Sequence, residues 1–109
     1  MDSTTERIRA LNDQLRTAGQ GGDIVATRGI AALELPNKAA VFAAVQSFDR
    51  FTPDNDPYGE HDFGSIEVAG EQVMFKIDYY DCAMSGHSPD ASDPAVTKRV
   101  LTIMLASEY

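Results

Sequence analysis

Gln72-Val73-Met74-Phe75-Lys76-Ile77-Asp78-Tyr79-Tyr80 is the stretch on which the fold turns. Val73, Phe75, Ile77 and Tyr79 share one side of it, and Met74, Lys76, Asp78 and Tyr80 share the other. A two-residue period is that of an extended strand with one buried face. Just upstream, Ile66 and Val68 alternate with Ser65 and Glu67, and Gly70-Glu71 separates the two runs. Two such runs around a glycine turn read as a β-hairpin. The second face mixes charge with a thioether and a phenol, so it faces solvent or a partner.

Outward from the hairpin, the N-terminal flank reads as helix, strand, helix. Residues 3–18 carry Ile8, Leu11, Leu15 and Ala18 on one apolar stripe, with Arg7, Arg9, Asp13 and Arg16 off it. Ser3 or Thr4 is placed to cap this helix, with Glu6 completing a capping box, and Gly19 and Gly21-Gly22 end it. Residues 23–33 are rich in β-branched side chains and read as a strand, with Gly29 marking a bulge or a close backbone approach. Pro36-Asn37 opens a second helix over about 37–49, with Val41, Val45 and Phe48 inward.

Downstream, residues 82–95 hold turn formers without periodicity and read as a long loop. The terminal segment is ambiguous, because Asp93-Pro94 could start a helix while Val100-Leu101-Thr102-Ile103 favours a strand. We assign a strand over about 98–106, with Leu101, Ile103 and Leu105 inward. The expected fold is therefore α+β: a single domain over 1–109 with about four strands in a mainly antiparallel sheet. Two helices pack on one face of it. Met74, Tyr80 and Met104 on outward faces would support a homodimer.

Composition narrows the function classes. The chain has 109 residues, 43% of them hydrophobic and 24% charged, enough for one modest core. No apolar run reaches the roughly 18 residues of a membrane span. The start of the sequence lacks the apolar core of a secretory signal. The lone Cys82 excludes an intramolecular disulfide and fits the reducing cytoplasm. The net charge of −8 is unevenly spread. From Phe51 to Ala95 there are ten acids (Asp54, Asp56, Glu60, Asp62, Glu67, Glu71, Asp78, Asp81, Asp90, Asp93) against one base, Lys76. Elsewhere seven acids meet eight bases. Such a charge distribution reads either as a solvated face that keeps a small protein soluble or as a surface that repels nucleic acid and attracts basic partners.

The densest part is Phe51–Gly64, Phe-Thr-Pro-Asp-Asn-Asp-Pro-Tyr-Gly-Glu-His-Asp-Phe-Gly. As a calcium loop starting at Asp54, it has Gly59 where the sixth-position glycine belongs, but Ser65 where the bidentate glutamate should be. Zinc is poorly served, because Glu60, His61 and Asp62 are consecutive and an extended chain splits them between two faces. Acid–base chemistry at His61, aided by Glu60, Asp62 and Asp78, is the alternative reading, a small metal-binding protein or hydrolase. No activated nucleophile accompanies it, since the acidic neighbours of Cys82 keep it a thiol, and no phosphate loop is present. The motifs call for no cofactor. A structural reading also covers much of the loop: Asx turns at 54–56, a reversal at Pro57 and Gly59, and a backbone hydrogen bond from His61.

Several stretches together resemble a small bacterial family of unknown function, found on plasmids and other mobile elements of alphaproteobacteria. They are Arg9-Ala10-Leu11-Asn12-Asp13, Thr27-Arg28-Gly29-Ile30, the central stretch from Phe51 to Gly64, Lys76-Ile77-Asp78-Tyr79-Tyr80-Asp81 and the ending from Arg99 to Tyr109. Phe75 stands where the resemblance leads one to expect tryptophan. The resemblance brings no catalytic roles. It implies a context in which small acidic proteins antagonise host defence. The leading expectation is accordingly a non-enzymatic, DNA-mimic-like inhibitor, anti-CRISPR or anti-restriction in kind, in the cytoplasm. It would occupy a basic nucleic-acid-binding surface through Asp54, Asp56, Glu60, His61, Asp62, Asp78, Asp81, Asp90 and Asp93.

Overall fold

The computed structural model describes residues 3–109, with the backbone alone for Ser3. The elements are α1 (Ser3–Ala18), β1 (Asp23–Ala26), α2 (Arg28–Ala31), α3 (Leu35–Gln46), β2 (Phe63–Val68), β3 (Glu71–Tyr80) and β4 (Lys98–Leu105). A single 3-10 turn, Ala106–Glu108, follows β4. The four strands form one sheet in the order β1-β4-β3-β2. The class is α+β as expected, with one correction: β1 runs parallel to β4, so the sheet is mixed. A second correction is the third helix, α2.

The hairpin and the terminal strand are where periodicity puts them. Ile66 lies opposite Val73 and Gly64 opposite Phe75, while Ile77, Phe75 and Val73 face Leu101, Ile103 and Leu105 of β4. Directly opposed residues share a face, so this is one apolar row set, and α1 and α3 close over it through Leu15, Val41 and Val45. Phe48 packs just past the end of α3, which stops at Gln46 and not near 49. Gly64 is required within it. A Cβ there would collide with the ring of Phe75, which is fully buried.

Residues 23–33 do not make one strand. Thr27 keeps extended backbone as the cap of α2, and Glu108 decides the change of direction. Its carboxylate accepts from the Thr27 hydroxyl at 2.6 Å, the Gly29 amide at 2.9 Å and the Leu105 amide at 2.9 Å. Those bonds hold the Glu108 carboxyl below its usual range, the Thr27 hydroxyl contributing most. Gly29 is the close approach its position announced, because a Cβ would lie 2.6 Å from Glu108 Oε1. The ligand that turns this chain is thus about eighty residues away, so local propensity could not reveal it.

The cap at Ser3 and its box with Glu6 rest on a side chain outside the described residues. Thr4 lies inside α1 and is not its cap. Two other expectations need correcting. Arg16, placed off the apolar stripe, is only 6% exposed. Met104, placed outward, is 3% exposed and opposes Met74 on the second sheet face. On that same face the Tyr109 ring packs against Phe63 at 6.0 Å. Among the described residues no helix is long and apolar enough to cross a membrane.

Candidate functional site

Topology gathers the two acidic loops at one end of the sheet, while Glu67 and Glu71 lie at the β2–β3 turn at the other. β2 begins at Phe63, β3 ends at Tyr80 and β4 begins at Lys98, and the pairings put these termini side by side. The loop before β2 and the loop between β3 and β4 therefore emerge together. The first extends the ladder through Ile77 N–H donating to Asp62 O at 2.8 Å. The second folds back as Tyr80 and His87 form an isolated antiparallel bridge.

The polar side of α1 anchors the first loop. Arg9 Nε donates to Gly59 O at 2.6 Å, and Asn12 Nδ2 donates to Glu60 O at 3.0 Å. Asp13 Oδ1 lies 2.8 Å from His61 Nδ1. Asn12 and Asp13 lie three and four positions after Arg9, so the three line one helix face. The loop supplies the remaining restraints. Thr52 N–H donates to Asn55 Oδ1 at 2.9 Å, and the amides of Glu60 and His61 donate to Asp56 Oδ1 at 3.1 and 3.2 Å. His61 pays a backbone cost, with φ at 57°. Its imidazole stacks on Phe51 at 3.9 Å and 6°. Its Nε2 faces Asp56 Oδ2 at 3.8 Å. So His61 bonds a carboxylate of α1 where sequence reasoning gave it a backbone partner.

Beneath the loop runs a polar chain that sequence reasoning missed. Arg99 Nε donates to Asn12 Oδ1 at 2.7 Å, Asn12 Nδ2 to the Tyr79 hydroxyl at 2.8 Å, and that hydroxyl to Glu60 Oε1 at 2.7 Å. Arg99 also donates to the Ala91 carbonyl and lies over the Tyr79 ring at 5.0 Å. Burial lowers the pKa of Arg99 and, with the bond to Glu60, raises that of Tyr79. The chain links both loops to β3, β4 and α1. The signal for it was present: Arg99 continues the alternation of Leu101, Ile103 and Leu105 inward.

Arg16 makes the neighbouring junction. Its Nη1 donates to the carbonyls of Val45, Gln46 and Phe48 at 3.2, 3.3 and 2.7 Å. A cation at these terminal carbonyls satisfies orphan acceptors and complements the helix dipole. Its Nη2 reaches Asp13 Oδ1 at 3.1 Å, and its guanidinium carbon lies 5.3 Å from the Phe51 ring centre. Asp13 thus bridges Arg16 and His61.

The nine candidate residues fall into different settings. Asp56 is 8% exposed and anchors the loop from within. Glu60, His61 and Asp62 are half-buried. Asp54 and Asp90 are exposed, while Asp78, Asp81 and Asp93 are partly so. Asp78 pairs with Lys76 at 2.9 Å. Asp81 accepts from the amide and hydroxyl of Ser85, and Asp90 from the hydroxyl and amide of Ser92. Those bonds hold both carboxyls below the usual range. Among the described residues, no three His, Cys, Asp or Glu side chains are grouped to hold a metal ion.

A cleft of about 380 Å³ opens between the loops, lined by Asp62, Ile77, Asp78, Tyr79, Tyr80, Gly86 and His87. Burial pushes the Asp62 carboxyl above its ordinary range, and repulsion from Glu60, Asp56 and Asp78 adds to this. A raised acid costs the folded state once ionised: the cost is absent below the unfolded pKa and complete above the folded one. Asp62→Asn is therefore expected to stabilise at pH 7, by about 0.5 kcal/mol or less once solvent screening of this half-exposed group is counted. Thermal melts across pH check it, the gain fading as pH falls toward 4; a lower midpoint at pH 7 would refute it.

Residues 26–108 match the family described as "Protein of unknown function (DUF3768)". The chain belongs to this family. Neither the curated proteins nor the solved structures contain a match.

Proposed function

We propose that this family member is a non-enzymatic acidic docking protein that occupies the nucleic-acid-binding surface of a basic protein. The observation that carries the reading is charge segregation: residues 51–95 hold ten acids against one base. All of these acids but Glu67 and Glu71 of the β2–β3 turn lie toward the end of the sheet shared by the two long loops, with Arg9, Lys98 and Arg99 as flanking bases. A carboxylate-rich end competes for the cationic groove that would otherwise neutralise phosphates. Its field also speeds encounter with that groove. The anchoring of the first loop by α1 supports the same reading, because a pre-ordered contact surface loses less entropy on binding.

Within this reading Asp54, Glu60, Asp62, Asp78, Asp81, Asp90 and Asp93 supply the contact surface, and Asp56 and His61 fix the loop that carries it. The resemblance to proteins of plasmids and mobile elements points to the partner class, a host defence complex, and so to an anti-CRISPR or anti-restriction role in the cytoplasm. The alternative, metal or hydrolytic chemistry at His61, has less support, since both ring nitrogens already face carboxylates of the protein.

The test is capture of purified restriction and CRISPR effector complexes at rising salt. Wild-type protein is expected to retain a complex at low salt and release it as salt rises. The variant Asp54→Lys/Asp90→Lys/Asp93→Lys is expected to lose capture while keeping the wild-type circular dichroism spectrum. Capture indifferent to these reversals would overturn the proposal.

A further inference from the structure

We infer that the β1 edge of the sheet is a homodimer interface, at which β1 pairs antiparallel with β1 of a second copy. β1 lies at the end of the strand order, bonded on one side to β4 alone. Thr27 N–H donates inward to Ile103 O. By the alternation of a strand, Asp23 and Val25 also point their backbone groups at β4, while Ile24 and Ala26 turn theirs outward. The open edge carries neither lysine nor proline, the usual guards against pairing. Its Ile24 and Val25 are 41% and 44% exposed, high for β-branched residues in a sheet.

The apolar surface continues beyond the strand. Ile24 lines a groove of about 150 Å³ together with Phe42 and Val45 of α3 and Leu101 and Ile103 of β4. Leu35, Ala39 and Phe42 recur at helical spacing along α3, all exposed, with Leu35 at 75%. A specific interface buries on the order of 1,200 Å² or more. A four-residue strand edge is too small for that, and the stripe on α3 supplies the additional area.

Charge selects a second copy as the occupant. The edge has one acid at its start, Asp23, which also pairs with Lys98 of β4 at 3.3 Å, and one base just past its end, Arg28, both exposed. An antiparallel pairing on a two-fold axis at Val25 sets Asp23 of one copy beside the Thr27-Arg28 end of the other. The same register lets Ile24 and Ala26 exchange main-chain bonds with Ala26 and Ile24 of the second copy. It also opposes the two Val25 side chains across a non-hydrogen-bonded site, where side chains approach most closely. The acidic segment does not obstruct the association, because β1 and α3 belong to the part of the chain in which bases offset acids. A two-fold interface of this kind is self-complementary, as homodimers require.

Sedimentation equilibrium of the intact chain up to about 1 mM tests the inference. The expected result is a concentration-dependent shift toward twice the 11.8 kDa of the chain. Val25→Lys, at an exposed position, is expected to weaken dimerisation about tenfold or more by opposing two like charges. In a Cys82→Ser background, Val25→Cys is expected to cross-link on mild oxidation and Ile24→Cys to resist it. A monomer throughout would overturn the inference and leave the edge for a strand of another protein. A dimer unaffected by Val25→Lys, or cross-linked equally through residue 24, would overturn it too.

Discussion

Arg99→Met is expected to lower the thermal midpoint by roughly 10–15 °C, corresponding to about 3 kcal/mol for a domain of this size. The guanidinium is 1% exposed, and its removal leaves Asn12 Oδ1 and the Ala91 carbonyl without their donor. An unsatisfied buried group costs about 1–3 kcal/mol. Methionine fills most of the volume, so the loss reports the missing bonds more than a cavity. The damage should also be directional, since Arg99 ties the β3–β4 loop to α1 through Ala91 and Asn12. Hydrogen exchange is therefore expected to rise first in residues 81–97. Wild-type stability, or loosening spread evenly over the sheet, would show that Arg99 is not the junction described.

Arg16→Met should act at the other anchor, at a cost on the order of 2–3 kcal/mol. It removes a donor from three carbonyls around the end of α3, of which Val45 O keeps the Phe48 amide at 3.3 Å, and frees Asp13 from its ion pair with Arg16. Arg16→Lys is the informative partner variant. It keeps the charge but lacks the planar fork needed to reach the carbonyls of Val45, Gln46 and Phe48 while holding Asp13. It is expected to recover less than half of the loss. Recovery in full, read from chemical denaturation midpoints, would mean that charge alone matters there.

The fold was legible wherever one local pattern decided it. The alternation of Val73, Phe75, Ile77 and Tyr79 gave β3, and that of Leu101, Ile103 and Leu105 gave β4. The reading failed where a distant residue sets the local conformation. Glu108 holds the start of α2 through Thr27 and Gly29, and Gly29 announces a close approach without telling which residue makes it. The parallel pairing of β1 is likewise a tertiary outcome that propensity does not encode.

The central loop was legible as a location and partly as a structure. The Asx contribution at 55 and 56 and the reversal at Gly59 are present. The partners of Glu60 and His61 were not legible, because they sit about fifty residues upstream on the polar side of α1, a side that ordinarily faces water. Asn12, Arg16 and Arg99 are polar residues used as interior fasteners. A strand period that runs on through an arginine was the available sign of the last.

The most direct test of the central claim, that the loop end of the sheet competes for a nucleic-acid groove, is displacement of labelled duplex DNA. The DNA is first bound to a purified restriction or CRISPR effector complex, the protein is titrated in, and anisotropy is read between about 50 and 200 mM salt. The account predicts full release of DNA, potency that falls steeply with salt, and a loss of about tenfold or more for Asp54→Lys/Asp90→Lys/Asp93→Lys. DNA that stays bound at saturating protein, or release that is equal for the reversed variant, would contradict it.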